Sequence, residues 1–294
     1  MIKDIAFQLD AGRTGILLIH GLTGTPNEMR SVAVGLHRAG FTVSAMQLAG
    51  HCGSEEDLLN TRWPDWYRSV CEAADKLRER VDHLFVAGLS MGGILALKLA
   101  AERPQAVDGV IVYGASFRYD GWSIPWSSRL LSRLLPLARP LRIGRHRCFM
   151  EQPPYGIRDE RLREVVVSLM SSGDSTLAGL RGNPWHSLAD MYALSAVVQR
   201  QLPHVTAPCL VIHASEDDVA SVKNAHLIVE RVRGPVELVL LHDSYHMVTI
   251  DRERAVVIER TAAFMKRVAA VSMQADPPAA GAAAALPSGA LQPG

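Results

Sequence analysis

The sequence predicts an α/β protein built on a doubly wound, mostly parallel sheet with an inserted helical cap. Short apolar runs alternate along the chain with segments of helical periodicity, which is typical of strands and helices in βαβ units. Several of these runs are continuously apolar, as expected of strands covered on both faces. Polar residues follow the ends of these runs, where sheets of this kind bind their ligands.

The first part of the chain supplies five predicted strands. Residues 2–9 alternate weakly and predict an edge strand, whereas residues 15–20 are continuously apolar and predict a central strand. The other elements are indicated by apolar runs or by apolar residues at helical spacing. They are strands over 41–48, 84–87 and 107–115 and helices near 27–39, 65–80 and 91–102.

The alternation resumes only near residue 205. Strands are predicted over 208–214 and 236–241, with helices near 222–233 and 255–268. Residues 116–204 are much longer than an ordinary connection and rich in helix formers, so we expect a helical cap inserted into the core. The predicted organisation is therefore a core over 1–115 and 205–270, a cap over 116–204, and a disordered tail of alanine, proline and glycine over 271–294.

A G-x-S-x-G pattern lies between the strand at 84–87 and the helix after it. It reads Gly88-Leu89-Ser90-Met91-Gly92, and the two glycines leave room for a strand and a helix to approach closely around Ser90. Two glycines around a serine are weak evidence by themselves. The strand-turn-helix context makes Ser90 the leading candidate for a nucleophile.

Composition excludes several classes of protein. The chain has 294 residues, 48% hydrophobic and 21% charged, and its net charge of +1 gives no support for a nucleic-acid partner. The four cysteines lack metal-ligand spacing, so we expect reduced thiols, no metal and a cytoplasmic protein. Because the first fifteen residues lack the long apolar segment of a signal peptide, we also expect no export, and no run approaches the ~18 apolar residues of a membrane span.

A serine nucleophile needs a histidine to take its proton and a carboxylate to orient that histidine. Two later turns offer both in the order that this fold requires. His246, beyond the strand at 236–241, is favoured as the base over its neighbour His242. Asp217, after the strand at 208–214, is the first choice of acid. Spacing leaves other carboxylates as competitors, namely Glu216, Asp218 and, less plausibly, Asp243.

Acyl-transfer chemistry also needs donors for the oxyanion, each contributing roughly 3 kcal/mol. The main-chain N–H of Met91, at the start of the helix after Ser90, is one candidate. The turn after His20 and Gly21 should supply the second, with Leu22 the best placed. Because only main-chain groups are involved, replacing either side chain with alanine should harm activity less than losing Ser90.

Four motifs resemble the α/β-hydrolase superfamily, and within it the small bacterial carboxylesterases and the monoacylglycerol lipase group. They are HGLTGTP, GLSMGG, ASEDD and YHMVTID. The resemblance implies the α/β-hydrolase fold, Asp217 as the triad acid, His246 as the triad base, no cofactor, and hydrolysis of carboxylic esters through an acyl-enzyme. One departure is His51, where such hydrolases often carry Gly-His-Gly and this chain has Gly-His-Cys-Gly; we expect His51 to be structural.

The predicted cap carries the remaining functional hypotheses. Trp122, Trp185 and His186 are candidates to line a substrate pocket. The segment 126–135 is amphipathic and is followed by Arg139, Arg142, Arg145 and Arg147. Such a basic face could contact an anionic membrane surface or attract an acidic substrate such as an acyl-coenzyme A, although a solvated helix face is the commoner explanation.

The leading hypothesis is a carboxylesterase or monoacylglycerol lipase acting on a small ester with an apolar acyl chain of short to medium length. A thioesterase, a lactonase, a carbon-carbon bond hydrolase or an acyltransferase would use the same triad. A binding scaffold without activity is disfavoured by the complete set of catalytic residue types. The sequence does not predict the oligomeric state.

Overall fold

The computed structural model describes residues 2–132, 134–141 and 143–275. Within them, seven strands form one sheet in the order β1-β3-β2-β4-β5-β8-β9. Only β1 runs antiparallel to its neighbour, and the other pairs are parallel. The strands are β1 (Phe7–Leu9), β2 (Thr14–Ile19), β3 (Thr42–Ala45), β4 (His83–Leu89), β5 (Gly109–Tyr113), β8 (Cys209–Ala214) and β9 (Val236–Leu241), with β6 (Cys148–Met150) and β7 (Gly182–Pro184) forming a separate antiparallel pair.

Helices cover both faces of the large sheet, as the continuously apolar strands predicted. They are α1 (Arg30–Arg38), α2 (Glu55–Leu59), α3 (Trp63–Arg78), α4 (Met91–Glu102), α5 (Trp126–Ser132), α6 (Leu135–Ala138), α7 (Glu160–Ser171), α8 (Ser175–Ala178), α9 (Trp185–Gln201), α10 (Lys223–Arg231) and α11 (Arg254–Ala275), with 3-10 turns at Pro26–Met29 and Leu202–His204. One hydrophobic layer packs α3, α4, α9 and α10 against the sheet. The opposite layer packs α1 and α11.

The predicted fold class is confirmed, with local differences at the ends of elements. The first strand is shorter than expected because only Phe7–Leu9 pair with β3. The short helix α2 was missed; Ser54 begins it with a capping box, in which Ser54 and Asp57 satisfy each other's main-chain N–H groups. The helix α11 continues to Ala275, so the expectation of disorder from residue 271 is wrong for its first five residues. Residues 276–294, the rest of the expected tail, lie outside the described residues.

The segment 116–204 connects β5 to β8. It contains the five helices α5 to α9 and also the β6–β7 pair, which the expectation of a purely helical segment did not include. Its longest helix, α9, buries Leu188, Leu194 and Val198 in the same hydrophobic layer as α4. The segment is thereby anchored to the core helix that follows Ser90.

Candidate active site

Ser90 occupies a sharp turn between β4 and α4. Its backbone has φ of 56°, a left-handed conformation that is rare for residues other than glycine. The approach of strand and helix is so close that a Cβ on Gly88 would lie 2.1 Å from the carbonyl carbon of Gly92. The two glycines of the motif are therefore required by packing, and the turn presents the Ser90 hydroxyl at the end of the strand.

His246 and Asp217 lie in the loops after β9 and β8, beside Ser90. The Nδ1 atom of His246 is 2.8 Å from Oδ2 of Asp217. The other oxygen of Asp217 accepts hydrogen bonds from the main-chain N–H groups of Val219, at 2.9 Å, and Ala220, at 2.7 Å. The carboxylate is thus fixed by its own loop, and it favours the tautomer in which Nδ1 carries the proton and Nε2 is free to accept one.

Asp217 and His246 shift each other's pKa. Burial alone would raise the pKa of Asp217, but the charge of and hydrogen bond from His246 outweigh it and lower that pKa. Burial alone would lower the pKa of His246, but Asp217, Asp218 and Glu151 surround it with negative charge and raise it. At neutral pH the arrangement therefore holds an ionised Asp217 against an imidazole that gains a proton readily.

A second serine, Ser116, lies between Ser90 and His246. The Ser90 hydroxyl donates to Oγ of Ser116 at 3.0 Å, and that Oγ is 3.4 Å from Nε2 of His246 and 3.0 Å from the carbonyl oxygen of Gly114. Sequence reasoning missed Ser116. The rule that points to the ends of parallel strands could have found it, since Ser116 follows β5 by three residues.

The competing acids and histidine make other contacts. Asp218 is buried, which raises its pKa, and it accepts hydrogen bonds from the main-chain N–H groups of Gly156 and His246. Glu216 and Asp243 both form ion pairs with Arg158. His242 is exposed and its Nδ1 lies 3.1 Å from the hydroxyl of Ser215. Asp218 therefore braces the histidine loop, whereas the other three lie outside the Ser90–His246 arrangement.

The turn after β2 faces Ser90 from the neighbouring strand. His20 holds it: Nε2 accepts from the main-chain N–H of Leu48 at 3.1 Å, and Nδ1 lies 2.9 Å from the carbonyl oxygen of Gly21. Leu22 lines the cavity over Ser90, and Met91 is the first residue of α4. Leu22 thus borders the same cavity as Ser90, and Met91, as the first residue of a helix, has a main-chain N–H without a partner inside that helix.

His51 lies behind this turn. Its ring meets those of His20 and Trp66 edge-on, with centroids 5.0 Å and 5.8 Å apart, and its Nδ1 lies 3.0 Å from the carbonyl oxygen of Ala49. Burial lowers its pKa to about 4, so the ring is neutral near pH 7. These contacts are those of a structural residue, as expected from the sequence.

A cavity of about 320 Å³ lies over Ser90 and His246. Most of its wall comes from the segment 116–204 and is apolar, with Ile124, Leu135, Ile157, Met170, Leu180 and Leu188 among its members. The acidic side chains Glu28, Glu151 and Asp218 also line it, whereas no lysine or arginine does so among the described residues. Burial raises the pKa of Glu28 and that of Glu151 to about 7.

None of the three predicted pocket residues forms part of this wall. Trp122 is 56% exposed, and its indole N–H donates to the carbonyl oxygen of Glu216. Trp185 stacks on Phe149 with ring centroids 5.4 Å apart. His186 is buried, with Nε2 3.0 Å from the carbonyl oxygen of Ile143. These side chains pack within the segment or against the core loops, so assigning them to the pocket was wrong.

The part of the chain that the structure describes contains no group of three or more His, Cys, Asp or Glu side chains arranged to hold a metal ion. Over the same residues, none of the helices combines the length and the apolar character needed to cross a bilayer.

Comparison with known proteins places this geometry in a family. Residues 11–253 match the model of the family described as serine aminopeptidase, S33. The chain is 31% identical over 262 residues to a thermostable monoacylglycerol lipase of Bacillus sp. (strain H-257), covering 89% of this chain and 94% of the relative. It is 25% identical over 264 residues to a carboxylesterase of Bacillus subtilis (strain 168), covering 89% of this chain and 96% of that protein.

A solved structure from work on two metagenome-derived lipolytic enzymes superposes with a TM-score of 0.74 at 28% identity, over 89% of this chain and 97% of that one. The family model and these relatives each cover most of the chain. The chain belongs to the serine aminopeptidase, S33 family, and it is a serine hydrolase with the α/β-hydrolase fold.

Proposed function

We propose that this hydrolase cleaves neutral carboxylic esters of short to medium acyl chains, monoacylglycerols among them, through an acyl-enzyme on Ser90. The observation that carries the proposal is the 2.8 Å contact between His246 and Asp217 beside a serine that opens into an apolar cavity. The similarity to a bacterial monoacylglycerol lipase and a bacterial carboxylesterase supports the same substrate class.

In this mechanism Ser90 attacks the ester carbonyl as its proton moves to His246. Asp217 stabilises the imidazolium that forms. The main-chain N–H groups of Leu22 and Met91 bind the oxyanion, and removing one such donor costs roughly 3 kcal/mol of transition-state stabilisation. His246 then protonates the leaving alcohol and activates the water that releases the acid.

The cavity supports the choice of acyl chain. Its volume of about 320 Å³ is near the lower end of the range of roughly 300–1,000 Å³ typical of small-molecule pockets. Its apolar wall is supplied mainly by the segment 116–204, which in this proposal acts as a cap over Ser90. A chain of short to medium length fills such a space, whereas a long chain would have to leave it.

Charge in the cavity supports a neutral leaving group. Three carboxyl groups line the cavity near Ser90, those of Glu28, Glu151 and Asp218. Among the described lining residues, no lysine or arginine balances their negative charge. An anionic acyl-coenzyme A would be repelled, whereas carboxyl groups suit the hydroxyl groups of a polyol such as glycerol. This observation supports an esterase over the thioesterase alternative.

A lipid surface is the proposed source of the substrate. Trp126, Leu130, Leu134 and Leu141 are between 56% and 77% exposed, and they belong to the segment that also supplies the cavity wall. The basic face is weaker than the sequence suggested, because Arg139 pairs with Asp190 and Arg145 with Glu56. Arg142 lies outside the described residues. We therefore expect binding driven by apolar contact more than by lipid charge.

Vesicle flotation tests this contact. Trp126→Asp combined with Leu134→Asp should abolish binding to phosphatidylcholine vesicles and lower turnover of emulsified monoacylglycerol, with turnover of a water-soluble ester unchanged. Val271→Asp, which changes an equally exposed apolar residue on α11, is the matched control. Binding that appears only on anionic vesicles would overturn the apolar docking.

A cytoplasmic location is part of the proposal, supported by the four cysteines, which are all free. Cell fractionation tests it.

Labelling with a fluorophosphonate probe tests the nucleophile. Wild-type protein should be labelled, whereas Ser90→Ala and His246→Ala should not, at unchanged circular dichroism. Nitrophenyl esters of graded chain length, the matching thioesters and alcohol acceptors then separate an esterase from a thioesterase or an acyltransferase. Labelling of folded Ser90→Ala, or faster turnover of thioesters than of esters, would contradict the proposal.

A further inference from the structure

The side chain of Ser116 is fully buried and contacts both the proposed proton donor, Ser90, and the proposed acceptor, His246. Its Oγ is 3.0 Å from the Ser90 oxygen and 3.4 Å from Nε2 of His246. No direct hydrogen bond joins Ser90 to His246 among the contacts of the described residues. The shortest hydrogen-bonded path from the nucleophile to the base therefore passes through a second hydroxyl.

The backbone fixes Ser116 in this place from both sides. The main-chain N–H of Ser90 donates to the carbonyl oxygen of Tyr113 at 2.8 Å, and that of Gly114 donates to the carbonyl oxygen of Ile212 at 2.9 Å. Gly114 has φ of +55°, and a Cβ there would lie 3.3 Å from the imidazole ring of His246. The turn that carries Ser116 is thus held against the serine turn, the neighbouring strand and the histidine ring.

The direction of the hydrogen bonds suits a relay. Ser90 donates its proton to Ser116, which is not part of the cavity wall, whereas Ser90 itself lines the cavity. The Ser90 proton therefore points away from the substrate space. The Ser116 proton has two acceptors in reach, the carbonyl oxygen of Gly114 and Nε2 of His246. Rotation about its Cβ–Oγ bond alone moves the proton from the first to the second.

We propose that Ser116 is a further catalytic residue, which relays the proton of Ser90 to His246 during acylation. As the Ser90 oxygen forms its bond to the acyl carbon, its O–H bond breaks and the proton passes to Oγ of Ser116. The original Ser116 proton passes to Nε2 of His246, and the carbonyl electron pair moves to the oxyanion. The relay rests on the proposed roles of Ser90 and His246, and it requires the 3.4 Å contact to shorten when substrate binds, as catalytic hydrogen bonds commonly do.

Acylation kinetics test the relay with three variants. In stopped-flow bursts with 4-nitrophenyl acetate, Ser116→Ala should lower the acylation rate about 100-fold, within the range typical of lost acid-base catalysis. Ser116→Thr, which keeps a hydroxyl, should recover most of that rate. Ser187→Ala is the matched control, because Ser187 is also fully buried, its hydroxyl makes no hydrogen bond within the described structure and it lies on α9.

Mixtures of H₂O and D₂O separate a relay from a structural role. The wild-type acylation rate should curve with deuterium fraction because two protons are in flight, and that of Ser116→Ala should fall linearly. A linear wild-type plot, or wild-type acylation by Ser116→Ala, would overturn the relay. If Ser90→Ala still forms the burst, the proposed function fails. If Ser90→Ala is inactive and Ser116→Ala acylates at the wild-type rate, only the relay fails.

Discussion

Replacing Asp217 with asparagine is the most informative perturbation of this site. Asp217 is fully buried and accepts three hydrogen bonds, from Nδ1 of His246 and from the main-chain N–H groups of Val219 and Ala220. The variant Asp217→Asn keeps the size of the side chain and removes its charge. An amide that offers its NH₂ group to Nδ1 forces the proton onto Nε2, which then cannot accept the proton of the nucleophile.

The expected loss follows from that change of tautomer. In serine hydrolases it lowers kcat by about 10⁴-fold, which corresponds to about 5.5 kcal/mol of transition-state stabilisation. Asp218→Asn provides the matched comparison, because Asp218 is the adjacent buried carboxylate and its oxygens accept from the main-chain N–H groups of Gly156 and His246. Its loss should be about tenfold or less, since an amide oxygen can still accept one of these bonds.

Steady-state hydrolysis of a nitrophenyl ester measures both variants, with thermal unfolding to verify the fold. The acidic limb of the pH profile gives a second readout. Asp217 raises the pKa of His246, so any residual activity of Asp217→Asn should survive to lower pH than that of the wild type. A larger loss in Asp218→Asn than in Asp217→Asn would refute the assignment of the acid.

Three other perturbations test the serine turn, the titration of His246 and the ion pair between Asp190 and Arg139. Gly88→Ala should lower Tm sharply or prevent folding, because the new Cβ would lie 2.1 Å from the backbone of α4. The expected loss in the free energy of unfolding is at least about 4 kcal/mol. An unchanged Tm would refute the close approach of β4 and α4. Activity should fall as the pH drops through the pKa of His246, which is raised above its ordinary value of 6.5, because the base must be neutral to accept a proton. Glu151→Gln should move the midpoint of this fall to lower pH, since it removes a negative charge that raises the pKa of His246. A move to higher pH would contradict this role of Glu151. Asp190→Ala should lower the free energy of unfolding, measured in urea, by about 1–3 kcal/mol, because half-buried Arg139 loses its ionic partner while it keeps its hydrogen bonds to the carbonyl oxygens of Leu59 and Thr61. Adding Arg139→Met to this variant should recover part of that loss.

The fold could be predicted from the sequence because its signals are local. Continuous apolar runs such as 84–87 and 208–214 indicate buried strands wherever they occur, and the Gly-x-Ser-x-Gly pattern requires a tight turn between strand and helix. Parallel strands bring their carboxyl ends to one edge of the sheet, so residues more than a hundred positions apart could be assigned to one site. Ser90, Asp217 and His246 were selected in this way, and the structure places them together.

The lining of the cavity could not be predicted in this way. The spacing of the aromatic residues between 116 and 204 does not indicate whether each side chain faces the core, the solvent or the cavity. In the structure Trp122 is exposed and its indole N–H donates to a core loop, whereas Trp185 stacks on Phe149 within its own segment. The carboxyl groups of Glu28 and Glu151, from distant parts of the chain, meet in the cavity only because the segment folds over β2 and β4.

By itself, the sequence determined the sheet, the serine turn and the identity of the residues at its edge, because each depends on short-range patterns and on the geometry common to parallel sheets. Only the tertiary structure showed that Ser116 lies between Ser90 and His246 and what surrounds the substrate space. It also brings Asp217 rather than Asp218 to Nδ1 of His246, a choice that spacing left open and that the family resemblance had implied. These outcomes depend on side-chain direction and on packing between elements far apart in the chain, which spacing along the sequence does not record.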